Sequence, residues 1–164
     1  MELLEKVQTR PFICAVELAF TAQAIPSAIE DWQVFINSTF SPNDFTKTYA
    51  GKSTLDFGEE TQDSSAGTSY KQKAVFRFPV TDHRRGERIA LLQKIKYLKL
   101  KLTNGLDIVI GRNDFYQNTA PQVKVKSNEH LCEVEITTQS IMPCGFTPNL
   151  NIYGLPTYVP VTLH

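Results

Sequence analysis

Leu98, Leu100, Leu102, Leu106, Ile108 and Ile110 flank Thr103-Asn104-Gly105, and their spacing predicts a β-hairpin with a defined register. Side chains alternate between the faces of a strand, so the register must bring all six to one side. A two-residue loop at Asn104-Gly105 would pair Leu102 with Asp107 and mix the faces. A three-residue loop pairs Leu102 with Leu106, Leu100 with Ile108 and Leu98 with Ile110. Such a loop closes on a left-handed residue, which Gly105 supplies as a bulge after a type I turn. The opposite face carries Tyr97, Lys99, Lys101, Asp107 and Val109 and is expected to meet solvent or a partner.

The same reading places further elements along the chain. Pro11 to Phe20 is rich in β-branched and aromatic residues and reads as a strand, broken by Pro26. Residues 29–40 carry Trp32, Val34, Phe35, Ile36 and Phe40, a pattern compatible with strand or short helix. Lys52 to Glu60 is a weak strand. The run Thr61 to Ser69 is small and polar, with nothing to bury, and is expected to be a mobile loop. Tyr70 to Val80 is a strong strand, with Ala74, Phe76, Phe78 and Val80 on one face and Pro79 marking an end or an edge. Thr81 or Asp82 can cap a helix over about 84–95, whose stripe is Ile89, Leu92 and Ile95; Gly86 near its start costs about 1 kcal/mol against Ala in a helix interior. Gln122 to Lys126 and Leu131 to Ser140 form a second antiparallel pair, in which Val123 and Val125 are expected opposite Val134 and Cys132.

From residue 143 on, Pro143, Pro148, Pro156 and Pro160 are interspersed with Phe146, Tyr153, Tyr158 and several aliphatic residues. Prolines at that density oppose helix and central strand, yet the apolar content needs a groove. An extended arm results, strapped over its own sheet or reaching into a neighbour. The predicted architecture is α+β: predominantly antiparallel β-sheet with one principal helix (about 84–95) packed on it and an extended C-terminal arm. Residues 1–142 form the single domain and 143–164 the arm.

Composition narrows the function classes. A chain of 164 residues, 41% hydrophobic and 21% charged, is ordinary for one globular domain. No apolar run approaches the ~18 residues of a membrane span, and Met1 to Lys6 lacks the character of a secretory signal, so a cytoplasmic location and no membrane contact are expected. Three cysteines, Cys14, Cys132 and Cys144, are too few for a disulfide framework; Cys132 alternates with Val134 and Ile136 as a small buried hydrophobe. Charge is unevenly spread. Residues 1–63 hold ten acids against four bases, and residues 64–164 hold seven against thirteen. Chance interleaving on folding explains this slightly better than a polar subunit whose acidic face meets the basic face of the next copy.

Motifs for chemistry are weak. Ala50-Gly51-Lys52-Ser53-Thr54 imitates the end of a phosphate loop, but the required upstream glycine position is Thr46, so no backbone nest is expected. His83, His130 and His164 are the only histidines. His130 and Cys132 fall short of a zinc ligand set, and Glu129, Glu133 and Glu135 fit a solvated strand face. Neither a catalytic residue, a metal nor a cofactor is expected, and the chain reads as not an enzyme. Arg84, Arg85, Arg88, Lys94, Lys96, Lys99 and Lys101 concentrate seven of seventeen basic residues in eighteen positions. They suit phosphate neutralisation with Tyr97 as a stacking group, although the near-neutral pI of 6.8 favours a solvated face over nucleic acid.

The succession Lys73-Ala74-Val75-Phe76-Arg77-Phe78, Ile89-Ala90-Leu91-Leu92, Tyr97 to Gly105, Ile108-Val109-Ile110-Gly111 and Cys132-Glu133-Val134-Glu135-Ile136 before Pro143 resembles small tail-completion and neck structural proteins of tailed bacteriophages and prophages. The resemblance spans about residues 70 to 146 and is one of pattern, without a diagnostic motif. It implies an oligomeric structural subunit, located in the virion after assembly, with other copies of itself or other particle proteins as partners. Tyr97, Lys99, Lys101, Arg84, Arg85, Arg88, Phe146, Tyr153 and Tyr158 are then the partner-contact candidates. The alternative is a monomeric β-rich ligand- or carbohydrate-binding module, for which Trp32, Tyr49 and Tyr116 are the surface aromatics.

Overall fold

In the computed structural model, residues 11–21, 44–51, 54–111, 119–141, 143–144 and 146–148 are described. Nine strands and one helix occur among them: β1 (Ile13–Ala19), β2 (Thr46–Thr48), β3 (Asp56–Ser64), β4 (Gly67–Pro79), α1 (Arg85–Leu92), β5 (Tyr97–Leu102), β6 (Leu106–Ile110), β7 (Gln122–Ser127), β8 (Leu131–Ser140) and β9 (Phe146–Pro148). They build two sheets, ordered β2-β1-β5-β6-β9 and β3-β4-β8-β7, and every pairing is antiparallel. The fold is therefore α+β and dominated by antiparallel sheet.

Alternation makes the core. Val16 and Leu18 of β1, Leu98, Leu100 and Leu102 of β5, and Ile108 and Ile110 of β6 turn toward Ala74, Phe76 and Phe78 of β4 and Cys132, Val134 and Ile136 of β8, forming one buried cluster between the sheets. The chain crosses from the second sheet to the first through α1, and Leu92 with Ile95 enters the same cluster. Leu91, off the stripe, stays half exposed. The predicted central hairpin forms in the predicted register, Leu98 opposite Ile110 and Leu100 opposite Ile108. Gly105 has a φ of 83° and donates its N–H to the Leu102 carbonyl, as a bulged turn requires.

Several expectations are corrected. Thr61 to Ser69 is not a mobile loop: β3 and β4 stay paired to Ser64 and Gly67, and Gly67 turns the chain at φ 121°. A polar run can remain in a ladder because backbone pairing does not require apolar side chains. The α-helix ends at Leu92 rather than near 95, since Lys94 and Ile95 donate to the carbonyls of Leu91 and Leu92 in tighter turns that place Ile95 in the core. No side chain caps it, but Asp82 accepts a bond from the Arg84 N–H at 3.1 Å. The β7–β8 pair keeps the predicted faces and shifts register: Val123 faces Ile136 and Val125 faces Val134. Asn128 sets this, its side-chain oxygen accepting from the N–H groups of His130 and Leu131, so the connection runs one residue further along. Of the predicted arm, Phe146–Pro148 adds as β9 beside β6, an edge position where proline is tolerated. Residues 29–40, Tyr153 and Tyr158 lie outside the described residues.

Candidate functional site

The outer face of the first sheet was expected to be open. Instead Tyr97, Lys99, Asp107 and Val109 are 1%, 6%, 4% and 5% exposed. β1 lies beside β5 with Glu17 opposite Lys99, and β6 brings Asp107 opposite Lys101. The Lys99 ammonium lies 2.6 Å from Glu17 and 3.9 Å from Asp107, while Lys101 lies 3.6 Å from the other Glu17 oxygen. Two cations and two carboxylates thus form a balanced, buried cluster, and Phe45 sets its ring 4.3 Å from the Lys99 nitrogen. Ala19, Phe45, Tyr97 and Val109 make a second apolar cluster beside it. Tyr97 and Lys99 are therefore structural and unavailable as free surface, and Lys101 is only partly exposed. Glu17 was missed because it sits inside an apolar-looking strand; its role becomes visible only once β1 and β5 are neighbours.

The outer face of the second sheet is open and polar. Lys71, Lys73, Val75 and Arg77 of β4 stand beside Gln139, Thr137, Glu135 and Glu133 of β8. Lys73 reaches Glu135 at 2.8 Å and Arg77 reaches Glu133 at 2.6 Å. The hydrogen bond between Lys73 and Glu135 raises the ammonium pKa and lowers that of the carboxyl, and Lys124 and Lys126 on β7 add to the latter. Beyond the last β4–β8 pair, Tyr70 with Ser140, the β3–β4 hairpin continues as a two-stranded projection. Its residues Thr61 to Thr68 are exposed. At its base a groove of about 590 Å³ is lined by Gln62, Ser69, Lys71, Gln122, Thr137 and Gln139 among others.

The basic run does not form one patch. Lys99 and Lys101 lie within the buried cluster. Arg88 bonds Asp82 at 2.7 Å and Thr48 at 3.2 Å, with its guanidinium 5.4 Å from the Phe78 ring centre. The Arg84 N–H first, and then the Arg88 guanidinium, hold the Asp82 carboxyl below the ordinary aspartate value. Arg85 donates to Ser127 at 2.7 Å, and Arg84 pairs with Glu87 in solvent. Helix and sheet geometry divides the run, because successive residues on α1 and β5 point to different layers. Phe146 contributes its backbone to β9. Of the three surface aromatics, Tyr49 is exposed beside Arg88, while Trp32 and Tyr116 lie outside the described residues.

Among the described residues no group of three or more His, Cys, Asp or Glu converges on one point. His130 is exposed at a turn, whereas Cys132 points into the core and accepts from the Ser127 hydroxyl. The Gly51 N–H is occupied by the Arg77 carbonyl, and Thr54 bridges Gly51 and Arg77. Among the described residues no helix is long and apolar enough to cross a membrane. Among the described residues the fold is a two-sheet antiparallel sandwich with one polar face, a projecting hairpin and sheet-edge strands. No family model, curated protein or solved structure matches the chain.

Proposed function

We propose that this chain is a structural subunit that acts through oligomeric contacts, in keeping with the pattern it shares with phage and prophage neck and tail components. The supporting observation is the projecting β3–β4 hairpin. A two-stranded ribbon is marginal in water without a third strand or a packed face, and the exposed tip at 61–68 has neither within the described residues. It keeps a full ladder, closed by Thr68 donating to Asp63 at 2.7 Å and by the Ser64 hydroxyl donating to the Gly67 carbonyl. An ordered, polar projection of this kind suits insertion against another protein surface. Virion location and other particle proteins as partners belong to the same proposal, as do cytoplasmic residence before assembly and a non-enzymatic role.

Light scattering of the full chain over a range of concentrations tests it. Mass should rise with concentration, and shortening the hairpin tip between Thr61 and Ser69 should reduce that rise while the circular dichroism spectrum stays the same. A strict monomer at every concentration overturns the proposal. The second reading, a ligand-binding module, draws on the groove at the hairpin base, whose volume falls in the range of small-molecule sites. Its lining is hydroxyl and amide groups with Lys71, Ala120 and Ile141, and saturable binding of a free oligosaccharide by a monomeric chain would favour it.

A further inference from the structure

The two edges of the second sheet carry opposite charge. β3, at one edge, presents Asp56, Glu59, Glu60 and Asp63 in nine residues; β7, at the other, presents Lys124 and Lys126 in six and no acid. All six charged residues are exposed. Asp56 and Glu60 share the outer face with Lys124 and Lys126, since they pair with Val75 and Lys71 on β4 while the lysines pair with Glu135 and Glu133 on β8. A part of the uneven charge of the two halves of the chain thus lies on opposite edges of one sheet.

Strand direction fits the same arrangement. Four strands in purely antiparallel order leave β3 and β7 running in opposite directions, so the β7 of one copy can continue the ladder beside the β3 of another. Pairing β3 with β3 sets four acids against four, and pairing β7 with β7 sets lysines against lysines; like charges across a ladder are destabilising. Building on the assembly reading, we propose that the occupant of the β3 edge is the β7 strand of a second copy of this chain. The contact is head-to-tail, and such heterologous contacts close into rings or run on as filaments. One register satisfies both faces: Lys126 opposite Asp56, Val125 opposite Phe57, and Lys124 opposite Gly58 with Glu60 on its diagonal. Phe57 and Val125 are each half-buried and lie on the inner side, and nothing fills the space above Gly58.

Charge that merely keeps bare edges from sticking makes the opposite prediction, so neutralising substitutions decide between the two. The concentration of half-assembly of the full chain is measured by sedimentation for wild type, Lys124→Gln/Lys126→Gln and Asp56→Asn/Glu60→Gln, with circular dichroism as the folding control. Each double variant should raise it by roughly 2- to 30-fold, as expected for two lost cross-strand ion pairs. Independently, Asp56→Cys and Lys126→Cys chains are oxidised alone and mixed, with wild type as the baseline for Cys14, Cys132 and Cys144. Cross-linked dimers above baseline should form in the mixture and in neither variant alone, a readout that decides the matter even where a neutralised variant misfolds. Unchanged or tighter assembly of both neutralised variants, or cross-linking of a single cysteine variant with itself, overturns the edge pairing while leaving assembly intact. Monomeric wild type at all concentrations removes both.

Discussion

Replacing Lys99 by Met isolates the buried charge cluster on the first sheet. Wild-type Lys99 sits 2.6 Å from Glu17 with both side chains under one-tenth exposed, while Lys73 sits 2.8 Å from Glu135 with exposures of 48% and 21%. The distances are nearly equal, so burial, with Asp107 and Lys101 beside the first pair, separates the two. Coulomb attraction at 2.6 Å is about 6 kcal/mol at an effective dielectric of 20, and water screens an exposed pair at a like distance far more strongly. Losing Lys99 also takes a cation away from Glu17 and Asp107, with Lys101 remaining 3.6 Å from Glu17. Breaking a buried pair from one side costs about 3–5 kcal/mol, whereas an exposed pair contributes about 0–1 kcal/mol. Urea unfolding at neutral pH, with equal m-values required, should give Lys99→Met a loss in the upper range and Lys73→Met a loss within the lower. Equal losses, or a Lys99→Met loss below about 1 kcal/mol, would refute the claim that the cluster is buried and mutually dependent.

Two further outcomes follow from local geometry. Gly111 and Gly67 have similar backbones, at φ 112° and 121°, but a Cβ on Gly111 would collide with the Lys96 carbonyl oxygen while one on Gly67 meets nothing. Thermal denaturation should therefore show Gly67→Ala costing about 1 kcal/mol and Gly111→Ala about 3 kcal/mol or more; similar values for both would contradict the close approach of β6 to the α1–β5 connection. Asp82 has its carboxyl held below the ordinary value of 3.8 by the Arg84 N–H and the Arg88 guanidinium. Its contribution is complete above that ordinary value and disappears as pH falls through the lowered one. The stability gap between wild type and Asp82→Asn should close on acidification, and a gap of constant size would count against the bond to Arg88.

Where period and turn chemistry agree, local sequence suffices. The hairpin of β5 and β6 is specified by six aliphatic residues and Gly105, because a one-residue slip would expose all of them. The alternation in β4 and β8 likewise fixes which side chains meet the core. Register is less secure where an Asn side chain sets the connection, and the β7–β8 pair accordingly differs from the expectation by one step along each strand. Polar stretches are illegible: the run from Thr61 through the end of β3 to the start of β4 has no apolar period, and only the pairing of the two strands keeps it extended.

The candidate surface was legible in still smaller measure. Alternation correctly separates Tyr97, Lys99, Lys101 and Asp107 from the core between the sheets, but it cannot say whether a second face meets water. That depends on β1 bringing Glu17 across the sheet and on residue 45 coming to rest over Lys99, contacts between residues far apart in the chain. The same holds for the sheet edges, where the tally of acids and bases along the chain is written in the sequence while their sorting onto β3 and β7 is a product of strand order. Sequence alone determined the strands that carry an apolar period, the turn at Gly105 and the inward-facing side chains, since these follow from short-range periodicity. Tertiary structure decided which charges are buried, which are paired and which edges remain open, since solvation is set by neighbours that the order of residues does not name.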